Sequence, residues 1–311
     1  MKENTPDTPG SSGDALCDKT PTFCRADNIH VGIPARLARL TIPAAGRRPL
    51  NRANLPPEAL ASFAFQLAPC ALELDGVLPL HRPLFDRLAG LNQAPARAQL
   101  FRTYMNAHFQ LDNPGALGFS ASARIDRSRL DYLRLLRGWL FNAESREGAI
   151  LKAWVESRFG LLTRFHRGPV GDSGTASRIA FEREAGAGLY TTGALEAQID
   201  LLYAWSQHEL ARHGDAPGQS TPHLTLYRGL SGARTLPGAP ALEDGRHLIE
   251  LNNLSSFSAS RERADEFGDV VVSCAIPREK ILAFTGLLPG LLQGEEEFLV
   301  IGGVVAARRE C

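Results

Sequence analysis

The sequence predicts an α+β protein, because its hydrophobic pattern changes from helical to extended near residue 214. In the first two thirds, apolar side chains recur every three or four residues, as in the segment 129–141, where they form one stripe on a helix. In the last third, short β-branched or apolar runs take over, such as 270–276 and 298–305. The loop at 214–220 is rich in Gly, Pro and Asp and separates the two regions.

Each predicted element has a local signal of its own. The double proline that ends at Pro57 marks a helix start, since proline is well tolerated in the first helical turn. The apolar run 298–305 has no polar break and suits a buried strand. The predicted helices are 57–66, 129–141, 148–159 and 194–210, and the predicted strands are 223–227, 270–276 and 298–305. The tryptophans of the helical stripes, Trp139 and Trp154, are interpreted as core residues.

The chain of 311 residues is expected to form one domain after a short tail. Apolar residues make up 44% of it and charged residues 22%, which is the composition of a globular protein. Residues 1–26 are rich in Pro, Thr, Ser and Gly and lack periodicity, so we expect a disordered tail. Residues 27–311 form the predicted single domain, mainly helical over 27–214 and strand-rich over 215–311. The helical part has little polar chemistry of its own and should pack on the strands.

Composition excludes several classes of function. Thirty-four basic and thirty-four acidic residues cancel, whereas a nucleic-acid-binding protein normally has a basic excess. No apolar run reaches the roughly 20 residues that a membrane span needs. The five cysteines are scattered, without zinc spacing, and predict neither a metal site nor a disulfide framework. Together with the lack of a secretory signal, this indicates a cytoplasmic protein. The scarcity of lysine among the basic residues is interpreted as a compositional bias.

Two short motifs in the last third carry candidate binding chemistry. Tyr227-Arg228-Gly229 ends a predicted strand, where a planar guanidinium can bind a phosphate and a glycine lets a ligand approach the backbone. The segment 254–260, Leu-Ser-Ser-Phe-Ser-Ala-Ser, offers several hydroxyls to a polar ligand or a carboxylate. Each pattern also has an ordinary structural interpretation, a solvated arginine in the first case and a helix N-cap at Ser260 in the second.

Paired glutamates directly before the last strand form a third motif. Glu295 and Glu297 share one face of an extended chain, whereas Glu296 points to the other. Two carboxylates on one face repel each other unless a positive group approaches them, and such a pair can serve a reaction with an oxocarbenium-like transition state. A surface acidic patch is the alternative interpretation, but such patches usually lie in loops or helices.

An arginine, a serine motif and a Glu-x-Glu pair in this order resemble the Arg-Ser-Glu class of mono-ADP-ribosyltransferases. Longer stretches are similar to one family of that class, the dinitrogenase reductase ADP-ribosyltransferases of nitrogen-fixing bacteria. These stretches are 132–139, 151–161, 223–230, 251–258, 264–268 and 294–303. Because the helical half resembles the family too, the resemblance covers roughly residues 28–305. It implies an α+β fold, with an ADP-ribosyltransferase-type split β-sandwich core and an enlarged helical N-terminal portion.

For NAD binding, the resemblance implies a group of residues around the Tyr-Arg-Gly motif. Arg228 would hold the NAD phosphates and the adjoining ribose. The other implied NAD contacts are Tyr227, Gly229, Ser256 and Phe267. NAD would be a consumed substrate and no metal would be needed, and the chain has no GxGxxG dinucleotide-binding motif.

For catalysis, the resemblance implies two glutamates and a serine. Glu297 would stabilise the oxocarbenium ion as nicotinamide leaves. Glu295 would engage an acceptor arginine, whose guanidinium is protonated at cellular pH and needs a carboxylate to orient it and take a proton. Ser258 would brace Glu297. Its motif reads Ser-Ala-Ser instead of the family's usual Ser-Thr-Ser, and Ser255 and Ser256 offer a second register.

The implied function is the transfer of ADP-ribose to an arginine of dinitrogenase reductase, the nitrogenase iron protein, which switches nitrogenase off. The leucine-rich segment 285–294 would form the acceptor-recognition loop, and a PII-type signalling protein would take part in regulation. Two alternatives remain. A glycosidase would use the carboxylate pair without NAD or Arg228. A catalytically silent binding protein of the same fold would be expected to lack Arg228, Glu295 or Glu297, and all three are present.

Overall fold

The computed structural model describes residues 33–111, 131–166, 168–171, 174–189, 193–212, 221–231, 235–289 and 296–310. The predicted tail over 1–26 and the predicted loop at 214–220 lie outside these residues. Within them, helices fill the first two thirds and antiparallel strands the last third. The predicted α+β class is therefore confirmed.

The helices are short at the start of the chain and longer toward its middle. In chain order they are Ala35–Ala38 (α1), Pro57–Leu60 (α2), Phe63–Leu67 (α3), Val77–Leu80 (α4), Arg82–Ala89 (α5), Ala94–His108 (α6), Tyr132–Phe141 (α7), Arg146–Phe159 (α8), Ala176–Leu189 (α9), Ala194–Arg212 (α10) and Arg261–Asp265 (α11). The predictions at 148–159 and 194–210 are confirmed as α8 and α10, and the described part of 129–141 as α7.

Side-chain caps decide where several of these helices begin. The predicted helix at 57–66 is two short helices, because Ser62 interrupts it and accepts a hydrogen bond from the Phe65 N–H as the N-cap of α3. Ser145 caps α8 in the same way, and that helix ends at Gly160, which has a left-handed φ of 70°. Ser260 caps α11 by accepting from the Arg263 N–H, so the predicted N-cap is confirmed.

The strands form one antiparallel sheet that curls on itself, beside a separate two-stranded ribbon. The strands are Arg164–Phe165 (β1), Gly168–Pro169 (β2), His223–Leu230 (β3), His247–Ser258 (β4), Val270–Pro277 (β5), Ile281–Phe284 (β6) and Glu297–Arg309 (β7). The sheet order is β4-β3-β5-β7-β6, and β4 also pairs with β7 over most of its length. By contrast, β3 and β4 meet in a single register pair, Tyr227 with Ser258. The curled sheet is therefore parted along the seam between β3 and β4.

Strand β4 was missed as a strand because its sequence is too polar. Asn253 is buried and its side-chain NH2 group donates to the carbonyls of Lys152 at 2.9 Å and Leu161 at 3.1 Å, so contacts with the helical half satisfy both donors of a residue that disfavours strands. The register shifts between Leu251 and Leu254, and this irregularity leaves Asn252 and Asn253 without ladder partners on β7. The segments α5, α6, α9 and β6 were not predicted either.

One hydrophobic core runs through both halves of the chain, from Leu37 to Ala307. Helix α10 joins them: the Tyr203 hydroxyl donates to the Glu279 carbonyl at 2.7 Å, and Ser206 donates to the Ile281 carbonyl at 3.2 Å. This packing supports the prediction of one domain over 27–311, which stays a prediction. Within the residues described here, no helix is long and apolar enough to cross a membrane.

The lysines and cysteines that the structure describes are largely buried. Lys152 and Lys280 are only 1% and 0% exposed, so both are core residues. Cys70 is disulfide-bonded, whereas Cys274 is a buried free thiol. One disulfide-bonded cysteine is not a disulfide framework.

Candidate active site

A cavity of about 330 Å³ opens at the seam between β3 and β4. Strand β3, strand β4, the start of β7 and the α11 turn line it on one side, and the end of α7 with Lys152 of α8 lines it on the other. Seven of the eight predicted site residues line this cavity; they are Tyr227, Arg228, Gly229, Ser256, Ser258, Phe267 and Glu297. The eighth, Glu295, lies outside the described residues.

Arg228 is held in place by neighbours on β4. Its Nη1 donates to the Ser256 carbonyl, and its guanidinium lies 5.7 Å from the centre of the Phe257 ring. Burial lowers the pKa of Arg228, and the negative charge of Glu297 opposes that effect. The side chain stays a cation, since an arginine pKa begins so far above neutrality. An anionic ligand in the cavity would therefore meet a fixed positive charge.

Glu297 is the first residue of β7 and is 4% exposed. It pairs directly with Ser258, the last residue of β4, so their side chains share one face of the sheet. The preceding residue, Glu296, has a left-handed φ of 49°, and its carbonyl accepts from the Ala259 N–H at 3.2 Å. This turn brings the chain into the strand with Glu297 aimed at the cavity. The Ser258 hydroxyl accepts from the Ser260 N–H at 3.1 Å.

Trp139 is a core residue, as predicted, at 3% exposure, but it also has a polar contact in the cavity that the sequence analysis missed. Its indole N–H lies 2.9 Å from the Ser256 hydroxyl and 3.2 Å from Oε1 of Glu297. Since the Ser256 carbonyl also accepts from Arg228, Ser256 and the Trp139 indole together connect the arginine with the glutamate. A helical stripe shows which residues are buried, not what they contact, so the sequence held no signal for this bond.

A second missed residue, Lys152, adds another cation to the cavity from the helical half. Its Nζ donates to Oε1 of Glu144 at 2.6 Å and lies 5.8 Å from the Trp139 ring. Burial lowers the pKa of Lys152, while Glu144 raises it. The sequence did carry a signal for this residue, because Lys152 is the one lysine of α8 in a chain whose basic residues are mostly arginine. Lys152 and Arg228 give the cavity two positively charged side chains.

Gly229 has a packing role that the motif did not reveal. A Cβ on Gly229 would lie 2.9 Å from the backbone of Phe267 and of Gly268, and closer still to the Ala264 carbonyl. A Cβ on Gly268 would in turn strike the backbone of Leu230. The two glycines let the α11 turn lie directly on β3, and this contact places Phe267, which is 57% exposed, at the rim of the cavity.

A second cavity of about 460 Å³ continues from the first, and the two share Arg228, Asn252 and Phe267. Its far side carries an ion pair between Arg164 and Glu250, with the two side-chain atoms 2.8 Å apart. The two cavities therefore adjoin and form one cleft, and Arg228 lines both parts of it.

The predicted acceptor loop at 285–294 is only partly described. Its first leucines, Leu287 and Leu288, are 4% and 2% exposed and belong to the core. These two therefore do not offer a surface for a protein, contrary to the expectation. Among the residues described, no group of His, Cys, Asp and Glu side chains is arranged to hold a metal ion.

Comparison with known proteins gives the family. A sequence model for dinitrogenase reductase ADP-ribosyltransferase matches residues 50–309. The chain belongs to this family. The chain is also 37% identical over 260 residues to the NAD(+)–dinitrogen-reductase ADP-D-ribosyltransferase of Rhodospirillum rubrum, a match that covers 81% of this chain and 91% of that protein. No solved structure matches.

Membership of the dinitrogenase reductase ADP-ribosyltransferase family confirms the resemblance seen in the motifs. The matched range includes the helical residues Trp139 and Lys152 as well as the strand motifs at Arg228 and Glu297. Both halves of the cavity therefore lie inside the region that defines the family.

Proposed function

We propose that this protein transfers ADP-ribose from NAD to an arginine of dinitrogenase reductase and thereby reversibly inactivates nitrogenase. The observation that carries the proposal is the convergence of Arg228 and Glu297 on one cavity in a chain of this family. The relative from Rhodospirillum rubrum supports it, because its name states both NAD and the acceptor. A cleft in which Arg228 lines both cavities also suits the pyrophosphate of NAD better than the neutral sugar of a glycosidase substrate.

NAD would lie along the cleft with its pyrophosphate at Arg228. The guanidinium is planar and presents several N–H groups to phosphate oxygens, and its bond to the Ser256 carbonyl fixes its orientation. Lys152 adds a second positive charge. Tyr227, Gly229 and Phe267 line the same cavity and would complete the contacts with the dinucleotide.

The reaction breaks the bond between ribose C1′ and the nicotinamide nitrogen, and the bonding electron pair leaves with nicotinamide. Positive charge then develops on the sugar, and the carboxylate of Glu297 would stabilise it from its buried position. We assign Ser258 as the residue that braces Glu297, because the two are direct cross-strand partners.

The acceptor arginine would complete the reaction. A guanidinium nitrogen attacks C1′ and loses a proton, and Glu295 would orient this group and take the proton. Glu295 is two residues before Glu297 in the sequence, and on the family resemblance we assign both carboxylates to one reaction. From the family resemblance we also propose the cytoplasm as the location and a PII-type signalling protein as a regulatory partner.

The test separates the two glutamates by measuring nicotinamide release with and without purified dinitrogenase reductase. Glu297→Gln keeps the size of the side chain but removes its charge, so both the transfer and the slow hydrolysis of NAD should fall by about 100- to 1000-fold, which corresponds to about 2.7–4 kcal/mol. Glu295→Gln should abolish transfer yet spare hydrolysis, since water carries no guanidinium to orient. Equal loss of both activities in Glu295→Gln, or persistent hydrolysis in Glu297→Gln, would contradict the assignment.

A further inference from the structure

We propose that Trp139, a residue of the helical half, is a positioning residue for the catalytic carboxylate of Glu297. The proposal rests on the role assigned to Glu297 above. It makes the enlarged helical portion part of the reaction centre, because α7 then supplies a hydrogen bond on which the chemistry depends.

The geometry points to a shared hydrogen bond. The Trp139 N–H is 2.9 Å from the Ser256 hydroxyl and 3.2 Å from Oε1 of Glu297, so one donor reaches residues of both β4 and β7. An indole has this single donor and no acceptor. Trp139 can therefore only donate in this bond, and Glu297 accepts. A donor favours the ionised form of the carboxylate that accepts from it.

The surroundings of the indole keep it in place. Trp139 is 3% exposed, and the Lys152 ammonium lies 5.8 Å from the centre of its ring. Lys152 is itself fixed by its ion pair with Glu144. A rigid aromatic side chain with one donor can thus define where a carboxylate oxygen sits. Loss of the donor would leave Glu297 in the sheet but remove the hydrogen bond from the indole to Oε1.

The functional consequence lies in the transition state. Positive charge appears on the sugar only as nicotinamide leaves, so a misplaced carboxylate costs more in the transition state than in the NAD complex. Removal of the indole N–H should therefore lower kcat and leave KM for NAD nearly unchanged. A hydrogen bond to a charged group is typically worth about 1.5–3 kcal/mol, so the expected loss is about 10- to 150-fold.

The experiment compares Trp139→Phe with Trp154→Phe in the full chain. Trp154 is the matched control, because it is 1% exposed and its N–H also donates to a carboxylate, Oδ1 of Asp200 at 2.7 Å, outside the cavity. Steady-state nicotinamide release should fall about 10- to 150-fold in kcat for Trp139→Phe, with KM for NAD within about threefold of wild type. Trp154→Phe should keep kcat within about threefold of wild type. Its melting temperature should fall by about as much as that of Trp139→Phe, because both variants lose a buried indole N–H.

A pH profile distinguishes positioning from simple packing. Because the N–H stabilises the ionised carboxylate, the acid limb of the kcat profile should move to higher pH in Trp139→Phe. Three other charged side chains line the same cavity, Arg228, Lys152 and Glu144. Both variants keep them, so their effect on the pH profile is the same in each. An unchanged acid limb with normal kcat, or a loss confined to KM, would overturn the proposal.

A measurement on wild type does not depend on the folding of a Trp139 variant. The chain has three tryptophans, so the three indole N–H resonances of a ¹⁵N-labelled sample can be assigned with Trp154→Phe and Trp205→Phe. The remaining resonance, that of Trp139, should shift in Glu297→Gln, whereas the resonance of Trp154 should not. No shift would refute the bond.

Parallel kinetics of Glu297→Gln separate this proposal from the proposed function. Normal nicotinamide release in Glu297→Gln would refute the role of the carboxylate. An inactive Glu297→Gln beside a fully active Trp139→Phe would refute only the role of the indole.

Discussion

Gly229, the glycine of the Tyr-Arg-Gly motif, should not tolerate any side chain. A side chain there would disturb the packing of the α11 turn on β3 as well as the binding of NAD. In Gly229→Ala the new methyl group would lie 2.9 Å from the Phe267 and Gly268 backbones and nearer still to the Ala264 carbonyl. Ordinary Cβ contacts begin at 3.4 Å, so the Phe267 and Gly268 backbones must move by about 0.5 Å, the difference between 3.4 and 2.9 Å, and the Ala264 carbonyl must move further. It cannot move freely, because Ala264 is buried, with 3% of its surface exposed.

The free energy of unfolding that Gly229→Ala loses depends on which atoms obstruct the new methyl group. Overpacking a well-packed interior typically costs about 1–3 kcal/mol, and we expect about 3 kcal/mol because the obstructing atoms belong to backbone. For 311 residues the entropy of unfolding is about 0.65 kcal/mol per degree, so the melting temperature should fall by about 5 °C. Affinity for NAD should fall as well, since the turn carries Phe267 at the cavity rim.

The measurements are thermal unfolding and NAD binding by calorimetry, with Gly168→Ala as the control. Gly168 lies in the short strand β2, and no neighbouring atom lies within 4 Å of the position that a Cβ would take. The melting temperature of Gly168→Ala should therefore stay within about 1 °C of wild type. If Gly229→Ala is as stable as Gly168→Ala and binds NAD normally, the contact between β3 and α11 is not rigid and the reasoning fails.

Two further predictions concern the cationic side chains. Arg228→Ala should weaken NAD binding by about 2–3 kcal/mol while the fold persists, since a charge-assisted bond is lost, and an unchanged dissociation constant in calorimetry would remove Arg228 from the site. Lys280 is fully buried, and burial lowers its pKa to about 7, so the unfolded chain holds a proton between pH 7 and 10 that the folded chain has released. Denaturant unfolding should show that the free energy of unfolding rises with pH over this range in wild type relative to Lys280→Met. If the free energies of the two proteins change with pH in parallel, the lowered pKa of Lys280 is wrong.

Local sequence patterns determined the class of the fold and most of the chemical groups of the candidate site. The three-residue spacing in 129–141 and the apolar run at 298–305 identify α7 and β7, because each element buries one periodic face. Arg228 and Glu297 were assigned because the order of the arginine, the serine motif and Glu-x-Glu resembles the family, since each motif alone also has an ordinary structural interpretation. Such patterns depend only on residues that are close in the chain.

Tertiary structure alone decided how those groups are connected. Trp139 is 117 residues from Ser256 and 158 from Glu297, and its periodicity would be the same whatever its indole faced. Strand β4 was missed because distant carbonyls in the helical half, not its own residues, satisfy its buried amide at Asn253. Hydrophobic periodicity fixes which side of an element is buried, whereas the partner of a buried polar atom depends on how the elements pack.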